Sequence, residues 1–185
     1  MGDEFGQSNE WDANAQLDWW LLEAGPYHRG VQKMVEDLNR IYQASPALWE
    51  SDFADYGFKW IDCSDHQSSI MSFARRNEKH TDEIVVILNL TPVPRQKYRV
   101  GLPRPGRWKE ILNSDAKIYG GSNIGNAGGV SSEDKKCHGL PHSAEFTLPP
   151  LGILAFQLEI PPDEPAQEKT EPEPEEGTES EPTNN

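Results

Sequence analysis

The chain has 185 residues and is acidic, with 31 Asp and Glu residues against 17 Lys and Arg residues and a formal net charge of −14. This balance excludes the basic surface with which nucleic-acid-binding proteins neutralise phosphates. No segment approaches the roughly 18 consecutive apolar residues of a membrane span. Two cysteines and a beginning without a basic, apolar leader pattern favour a reduced, cytoplasmic protein that binds neither nucleic acid nor membranes.

The first 50 residues predict a loop followed by one amphipathic helix. Residues 1–29 are rich in Trp, Asp and Glu and carry no periodic pattern. Residues 30–45 place their apolar side chains at helical spacing, and Pro46 ends the pattern. The apolar stripe of this predicted helix consists of Val31, Met34, Val35, Leu38, Ile41 and Tyr42.

The following hundred residues predict an all-β domain. Short apolar runs are separated by turn residues and by no further helix, which favours an antiparallel sandwich over a parallel α/β sheet. Trp60 and Trp108 are interpreted as core residues, and strict alternation would place Trp108, Glu110 and Leu112 on one face of their strand. The predicted strands are residues 57–64, 69–76, 83–91, 96–102, 107–113, 144–148 and 152–159.

The last segment differs in composition from the rest of the chain. Residues 161–185 contain nine acidic residues and one basic residue, Lys169, and almost no apolar residues. Too little apolar surface is available to offset the entropy lost on ordering. We therefore expect residues 160–185 to form a disordered acidic tail.

Several ordered motifs resemble one family, the bacterial-type 1,4-α-glucan (glycogen) branching enzymes of the α-amylase superfamily. The resemblance extends from residue 1 to about residue 159, and the order of the motifs is more informative than any one of them. The motifs are residues 1–7 (MGDEFGQ), 10–11 (EW), 17–19 (LDW), 21–23 (LLE), 30–32 (GVQ), 37–39 (DLN) with Tyr42, 56–60 (YGFKW), 89–101 (NLTPVPRQKYRVG), 108–115 (WKEILNSD), 119–126 (YGGSNIGN) and 148–151 (LPPL).

The resemblance implies three segments. Residues 1–50 would be the last loop and the final helix of a (β/α)₈ catalytic barrel, residues 51–159 the C-terminal all-β sandwich domain, and residues 160–185 the disordered tail. A whole barrel needs roughly 200 residues or more. The resemblance therefore implies that the chain is a fragment, and that the family's catalytic carboxylates lie upstream of Met1.

The resemblance also implies an activity and its partners. Branching enzymes transfer an α-1,4-glucan segment to a 6-hydroxyl group and form an α-1,6 branch, so α-1,4-glucan or glycogen is the expected partner. No catalytic residue is assigned to this chain. The residues expected to line the substrate cleft are Glu4, Gln7, Glu10 and Trp11. Other expected contacts are the missing barrel, or a second copy through the exposed helix stripe.

Alternatives remain open at this point. The sandwich could be a stand-alone glucan-binding or accessory module, although such a module needs a row of exposed aromatic residues that the sequence pattern does not indicate. Trp11, Trp19 and Trp20 could fill the joint between barrel and sandwich. The spacing of Cys137, His138 and His142 offers too few ligands for structural zinc. We therefore predict neither a metal site nor a cofactor.

Overall fold

The computed structural model describes residues 1–160, so the predicted acidic tail from residue 161 onwards lies outside the described residues. It contains one α-helix, α1 (Pro26–Ala44). Short 3-10 helices span Asp3–Phe5, Trp19–Glu23, Pro46–Leu48, Asp55–Gly57 and Lys117–Tyr119. The strands are β1 (Phe58–Asp65), β2 (Ile70–Arg76), β3 (Glu83–Asn89), β4 (Arg95–Leu102), β5 (Arg107–Asn113), β6 (Gly129–Ser131), β7 (His142–Leu148) and β8 (Gly152–Leu158).

The strands form two antiparallel sheets. The larger sheet has the order β1-β2-β3-β8-β5-β6, and β4 and β7 form the smaller one. The last strand, β8, lies between β3 and β5, so the centre of the larger sheet joins distant parts of the chain. The predicted fold class, a mainly β antiparallel structure with one helix, is confirmed for the described residues.

The inner core lies between the two sheets. Trp108, Phe146 and Phe156 are fully buried, and the rings of Phe146 and Phe156 meet edge to face at 4.9 Å. The Trp108 indole Nε1 donates a hydrogen bond to the Arg104 carbonyl oxygen at 3.3 Å, so its only polar group is satisfied. The prediction that Trp108 is a core residue is confirmed.

A second core lies on the outer face of the larger sheet. Ala47, Ile84, Leu112 and Ala155 are buried there, and Ile41 of α1 packs against them. This cluster attaches the C-terminal end of α1 and the segment after it to the sandwich.

Asp82 strengthens this attachment. Its Oδ2 accepts a hydrogen bond from the buried Ala47 backbone N–H at 3.0 Å, and its Oδ1 accepts one from Gln157 Nε2 at 2.7 Å. One carboxylate therefore joins the segment after α1, the start of β3 and the end of β8.

The most informative differences from the predicted elements lie in α1, β6 and β5. α1 begins at Pro26 rather than at residue 30, because proline suits the first helical position, where no backbone N–H is needed. β6 lies in a glycine-rich segment that predicted only turns. A β-bulge between Glu110 and Leu112 reverses the alternation in β5, so Leu112 faces the outer core while Trp108 faces the inner one.

Candidate functional site

The front segment, residues 1–23, folds against the first turns of α1. Phe5 is 2% exposed and stacks on Trp19 with ring centroids 5.2 Å apart. The Phe5 carbonyl oxygen lies 2.9 Å from His28 Nδ1. A buried ring and a hydrogen bond thus hold the front segment on the helix.

Two of the predicted cleft residues stabilise this segment. Glu4 Oε2 accepts a hydrogen bond from the Gly2 backbone N–H at 2.9 Å, and hydrogen bonds from its own and the Gly2 backbone N–H hold the pKa of Glu4 below its ordinary value. Gln7 Oε1 accepts a bond from the Asp18 N–H at 2.8 Å, and its Nε2 donates to the Asn9 carbonyl oxygen. These polar groups brace the loop internally.

The other two predicted cleft residues face solvent. Glu10 is exposed, and Trp11 is 58% exposed. Trp19 and Trp20 are also more than half exposed. The indole rings of the front segment are therefore available to a further partner. The cleft-lining role of Glu4, Gln7, Glu10 and Trp11 stays a prediction.

The apolar stripe of α1 is covered only in part. Leu38 and Tyr42 are 41% and 49% exposed, whereas Ile41 packs on the outer core. Val31, Met34 and Val35 are half-buried. The helix thus packs on the sandwich by one edge and leaves an apolar edge uncovered.

Tyr119 fixes the position of α1. Its hydroxyl donates a hydrogen bond to Asp37 Oδ2 at 2.9 Å, and burial together with this carboxylate raises the pKa of Tyr119 to about 12. A Cβ atom at Gly30 would collide with the Tyr119 carbonyl oxygen, so only glycine permits this approach. Hydrogen bonding to Lys33 in turn lowers the pKa of Asp37.

An aromatic cluster occupies the outer face of β1 and β2. Phe58, Trp60 and Phe73 lie together, with ring centroids 5.0 Å apart for Phe58 and Trp60 and 5.9 Å apart for Trp60 and Phe73. Phe58 is 40% exposed and Trp60 is 47% exposed. Exposed aromatic faces can stack on sugar rings, so the cluster is a candidate contact surface.

This cluster corrects one prediction. Trp60 is not a core residue, because Ile61 points into the inner core and alternation turns Trp60 outwards on an edge strand. Trp60 pairs with the half-buried Phe73 across two strands, but the two rings meet edge to face at 83°, so the cluster is not the row of exposed aromatic residues that a binding module needs. Sequence alternation through Ile61 could have revealed the outward direction. The pairing with Phe73 needed the sheet register.

The apolar outer face continues beyond the aromatic cluster. Met71 pairs with Leu88, and Leu88 pairs with Ile153, which is 40% exposed. On the opposite side of the same face, Ile41 of α1 and Ala47 after it cover the sheet around Ile84 and Ala155. Within residues 1–160, α1 and the segment after it cover one part of the outer face, whereas the part that carries Trp60 and Ile153 is exposed.

His138 and His142 each lie beside an aspartate, and both cysteines are free thiols. His138 Nε2 lies 3.7 Å from Asp62 Oδ2, and His142 Nδ1 lies 2.9 Å from Asp134 Oδ1. Neither Cys63 nor Cys137 forms a disulfide. Within residues 1–160, no cluster of three or more His, Cys, Asp or Glu side chains is arranged to hold a metal ion.

The helix content of residues 1–160 includes no segment that is both long and apolar enough to cross a membrane. The sandwich itself matches a known family. Residues 60–159 match the family model described as "Alpha amylase, C-terminal all-beta domain". The chain belongs to this family. The amylase-type all-β domain thus comprises all strands from β1 to β8 and lies beside α1 and the front segment.

Curated relatives resemble more of the chain than the all-β domain. The 1,4-alpha-glucan branching enzyme GlgB of Aquifex aeolicus (strain VF5) is 48% identical over 159 residues, which are 86% of this chain and 25% of that protein. GlgB of Pseudomonas fluorescens (strain Pf0-1) is 50% identical over 160 residues, 86% of this chain and 21% of that protein. GlgB of Prochlorococcus marinus (strain NATL1A) is 46% identical over 157 residues, 85% of this chain and 21% of that protein. The chain thus spans a quarter or less of the length of these relatives.

Proposed function

We propose that this chain is the C-terminal part of a 1,4-alpha-glucan branching enzyme. The supporting observation is the extent of the likeness to branching enzymes. The alignment to the Aquifex aeolicus enzyme covers 159 residues, whereas the all-β family match covers residues 60–159. The residues after residue 159 are too few to account for the additional aligned residues. Part of the alignment to the branching enzyme must therefore lie before residue 60. The activity proposed is transfer of an α-1,4-glucan segment to a 6-hydroxyl group.

We also propose that the chain does not catalyse this reaction unaided. A retaining transfer needs two carboxyl groups about 5 Å apart, one as nucleophile and one as acid. In the front segment, Glu4 is engaged with the Gly2 backbone and Glu10 is exposed on the surface. The catalytic pair would come from a (β/α)₈ barrel, and Glu10 and Trp11 would contribute to the rim of its cleft.

The open apolar surfaces support a contact with such a barrel. The uncovered edge of α1, with Leu38 and Tyr42, belongs to the segment that the branching-enzyme resemblance assigns to the barrel. Apolar surface of this kind is typical of interaction sites. The competing partner for this edge is a second copy of the same chain. Size-exclusion chromatography with light scattering distinguishes the two, because only self-association gives the isolated chain twice its 20.8 kDa mass.

A chimera tests the proposed function. The full chain replaces the matching segment of the Aquifex aeolicus enzyme, and branching is followed by the loss of iodine staining of amylose. We expect branching within about tenfold of the parent enzyme, and none from the chain alone or from the parent lacking that segment. A folded chimera without activity, or branching by the isolated chain, would contradict the proposal. Trp11→Ala should raise the KM of the chimera, whereas Trp20→Ala serves as an exposed-indole control.

The aromatic cluster favours a second function for the sandwich, which is glucan binding. Affinity electrophoresis in gels that contain glycogen measures it directly with the isolated chain. One sugar stacked on Trp60 contributes roughly 1–1.5 kcal/mol, so Trp60→Ala should weaken retardation about tenfold. The matched control is Trp20→Ala, which removes an indole of similar exposure from the front segment. Equal effects of both substitutions would refute the assignment of the site to the cluster.

Location in the cytoplasm is also a proposal. Its support is that both Cys63 and Cys137 are free thiols, as is usual in a reducing compartment.

A further inference from the structure

Strand β8 leads the chain out of the sandwich at a rim that carries several basic side chains. The Glu159 backbone N–H donates to the Arg107 carbonyl oxygen at 2.9 Å, and Ile160 packs against the inner core. The Trp108 indole reaches the Arg104 carbonyl oxygen, and the Arg104 guanidinium donates to the His80 carbonyl oxygen at 3.2 Å. These contacts connect the exit point to the β2–β3 loop. We name this surface the exit rim and define it by Lys59, Arg76, Lys79, Arg104 and Arg107.

One exposed acidic residue of the exit rim, Glu159, lies 3.5 Å from Arg107 Nε, whereas Glu83 and Asp82 are buried. Glu83 is only 4% exposed, and burial raises its pKa while the charges of Arg104, Arg76 and Lys59 oppose that rise. Three cations from different parts of the chain thus surround one buried carboxyl group. Asp82 is buried as well, and both of its oxygens accept hydrogen bonds from the protein.

The segment that follows Ile160 has the opposite charge. Residues 161–185 have nine acidic residues and one lysine, a net charge of −8, whereas residues 1–160 share the remaining −6. Asp163 and Glu164 are three and four residues beyond Ile160. Since an extended chain spans at most about 3.3–3.6 Å per residue, the Cα atoms of both residues cannot be more than roughly 15 Å from that of Ile160. The first acidic pair is therefore held close to the exit rim by covalent connection alone.

We propose that the exit rim binds the acidic segment 161–185 of the same chain. Individual surface ion pairs contribute little, about 0–1 kcal/mol each, so the interaction needs several of them together. The covalent connection supplies an effective concentration of roughly millimolar, which makes a set of weak pairs sufficient. Because the pairs are exposed, salt weakens them strongly above about 0.1 M. The interaction is independent of the proposed branching function.

Zero-length carbodiimide cross-linking of the intact chain tests the proposal. The reagent joins a carboxylate to a lysine amine with loss of water, and peptide mass spectrometry identifies the pairs. We expect Lys59 and Lys79 to couple to glutamates of residues 161–185 at 50 mM NaCl, with a yield at least fivefold lower at 0.5 M NaCl. Lys97, at the opposite end of the sandwich, should give at most a trace of the same products.

A charge-reversal pair supplies the control. Arg107→Glu reverses one charge of the exit rim and leaves both target lysines in place, so it should lower the cross-link yield about threefold or more. Lys117→Glu makes the same charge change on the far side of the larger sheet and should leave the yield unchanged. Cross-link yields that change neither with the NaCl concentration nor with Arg107→Glu would overturn the proposal. So would cross-links that join ¹⁴N to ¹⁵N chains in a mixed sample, since they would place the segment on a second copy.

Discussion

Replacement of Asp82 by alanine tests how strongly the sandwich holds the α1 attachment. The substitution removes two hydrogen bonds to a carboxylate and leaves the Ala47 N–H, on a fully buried residue, without its acceptor. Bonds to charged groups contribute roughly 1.5–3 kcal/mol each, and an unpaired buried donor costs about 1–3 kcal/mol. The burial cost of the carboxylate, which the variant avoids, reduces the sum. We expect Asp82→Ala to lower the free energy of unfolding by about 3 kcal/mol.

Urea denaturation followed by circular dichroism measures this loss. With a denaturant slope near 2 kcal/mol per molar urea, the midpoint should fall by roughly 1.5 M. Asp82→Asn should cost only about 1 kcal/mol, because its amide oxygen can accept from Ala47 while Gln157 rotates to accept from its amide nitrogen. Asp134→Ala, which removes an exposed carboxylate, should stay within about 0.5 kcal/mol of the natural chain. The reasoning fails if Asp82→Ala costs less than 1 kcal/mol or no more than Asp82→Asn.

Two further predictions concern Tyr119 and Glu83. Tyr119→Phe loses the hydrogen bond to Asp37 and should lower the free energy of unfolding by about 1–2 kcal/mol in urea denaturation, whereas Tyr27→Phe on an exposed ring should have no effect. Burial raises the pKa of the Glu83 carboxyl above its ordinary value of 4.5. Between these two pKa values the folded chain keeps the carboxyl proton and the unfolded chain loses it, so the free energy of unfolding falls as the pH rises from 4.5 to the folded-state pKa. Glu83→Gln should therefore be more stable than the natural chain at pH 7 and lose that advantage below pH 4.5; equal thermal midpoints for the two chains at pH 7 would contradict this.

Most strands could be predicted because their physical signal is local. β3 consists almost wholly of branched apolar residues, which suits a strand buried on both faces. The turns around it carry Pro, Asn and Asp, whose backbone preferences end a strand. The helix stripe was equally clear, since its spacing depends only on the helical period. In each of these elements, one short window of sequence contains the information.

The candidate contacts were harder to predict because they depend on distant parts of the chain. The aromatic cluster arises when β2 brings Phe73 beside Trp60. The reversed direction of Leu112 follows from a bulge that alternation cannot reveal. Gln7 accepts a hydrogen bond from the backbone N–H of Asp18, eleven residues away, and no local pattern indicates this contact. Local sequence patterns indicate which residue types could bind a ligand. The strand register and the long-range hydrogen bonds determine which of these side chains lie together.

The central position of β8 determines when this domain can fold during synthesis. The larger sheet is split into β1-β2-β3 on one side and β5-β6 on the other until β8 is available to join them. A nascent chain that ends before residue 152 exposes two unpaired inner edges, which are prone to pair with other chains. Contacts over such long sequence separations also form slowly. A stop codon that removes only these last strand residues should thus convert the domain into an aggregating chain while most of its core residues are still present.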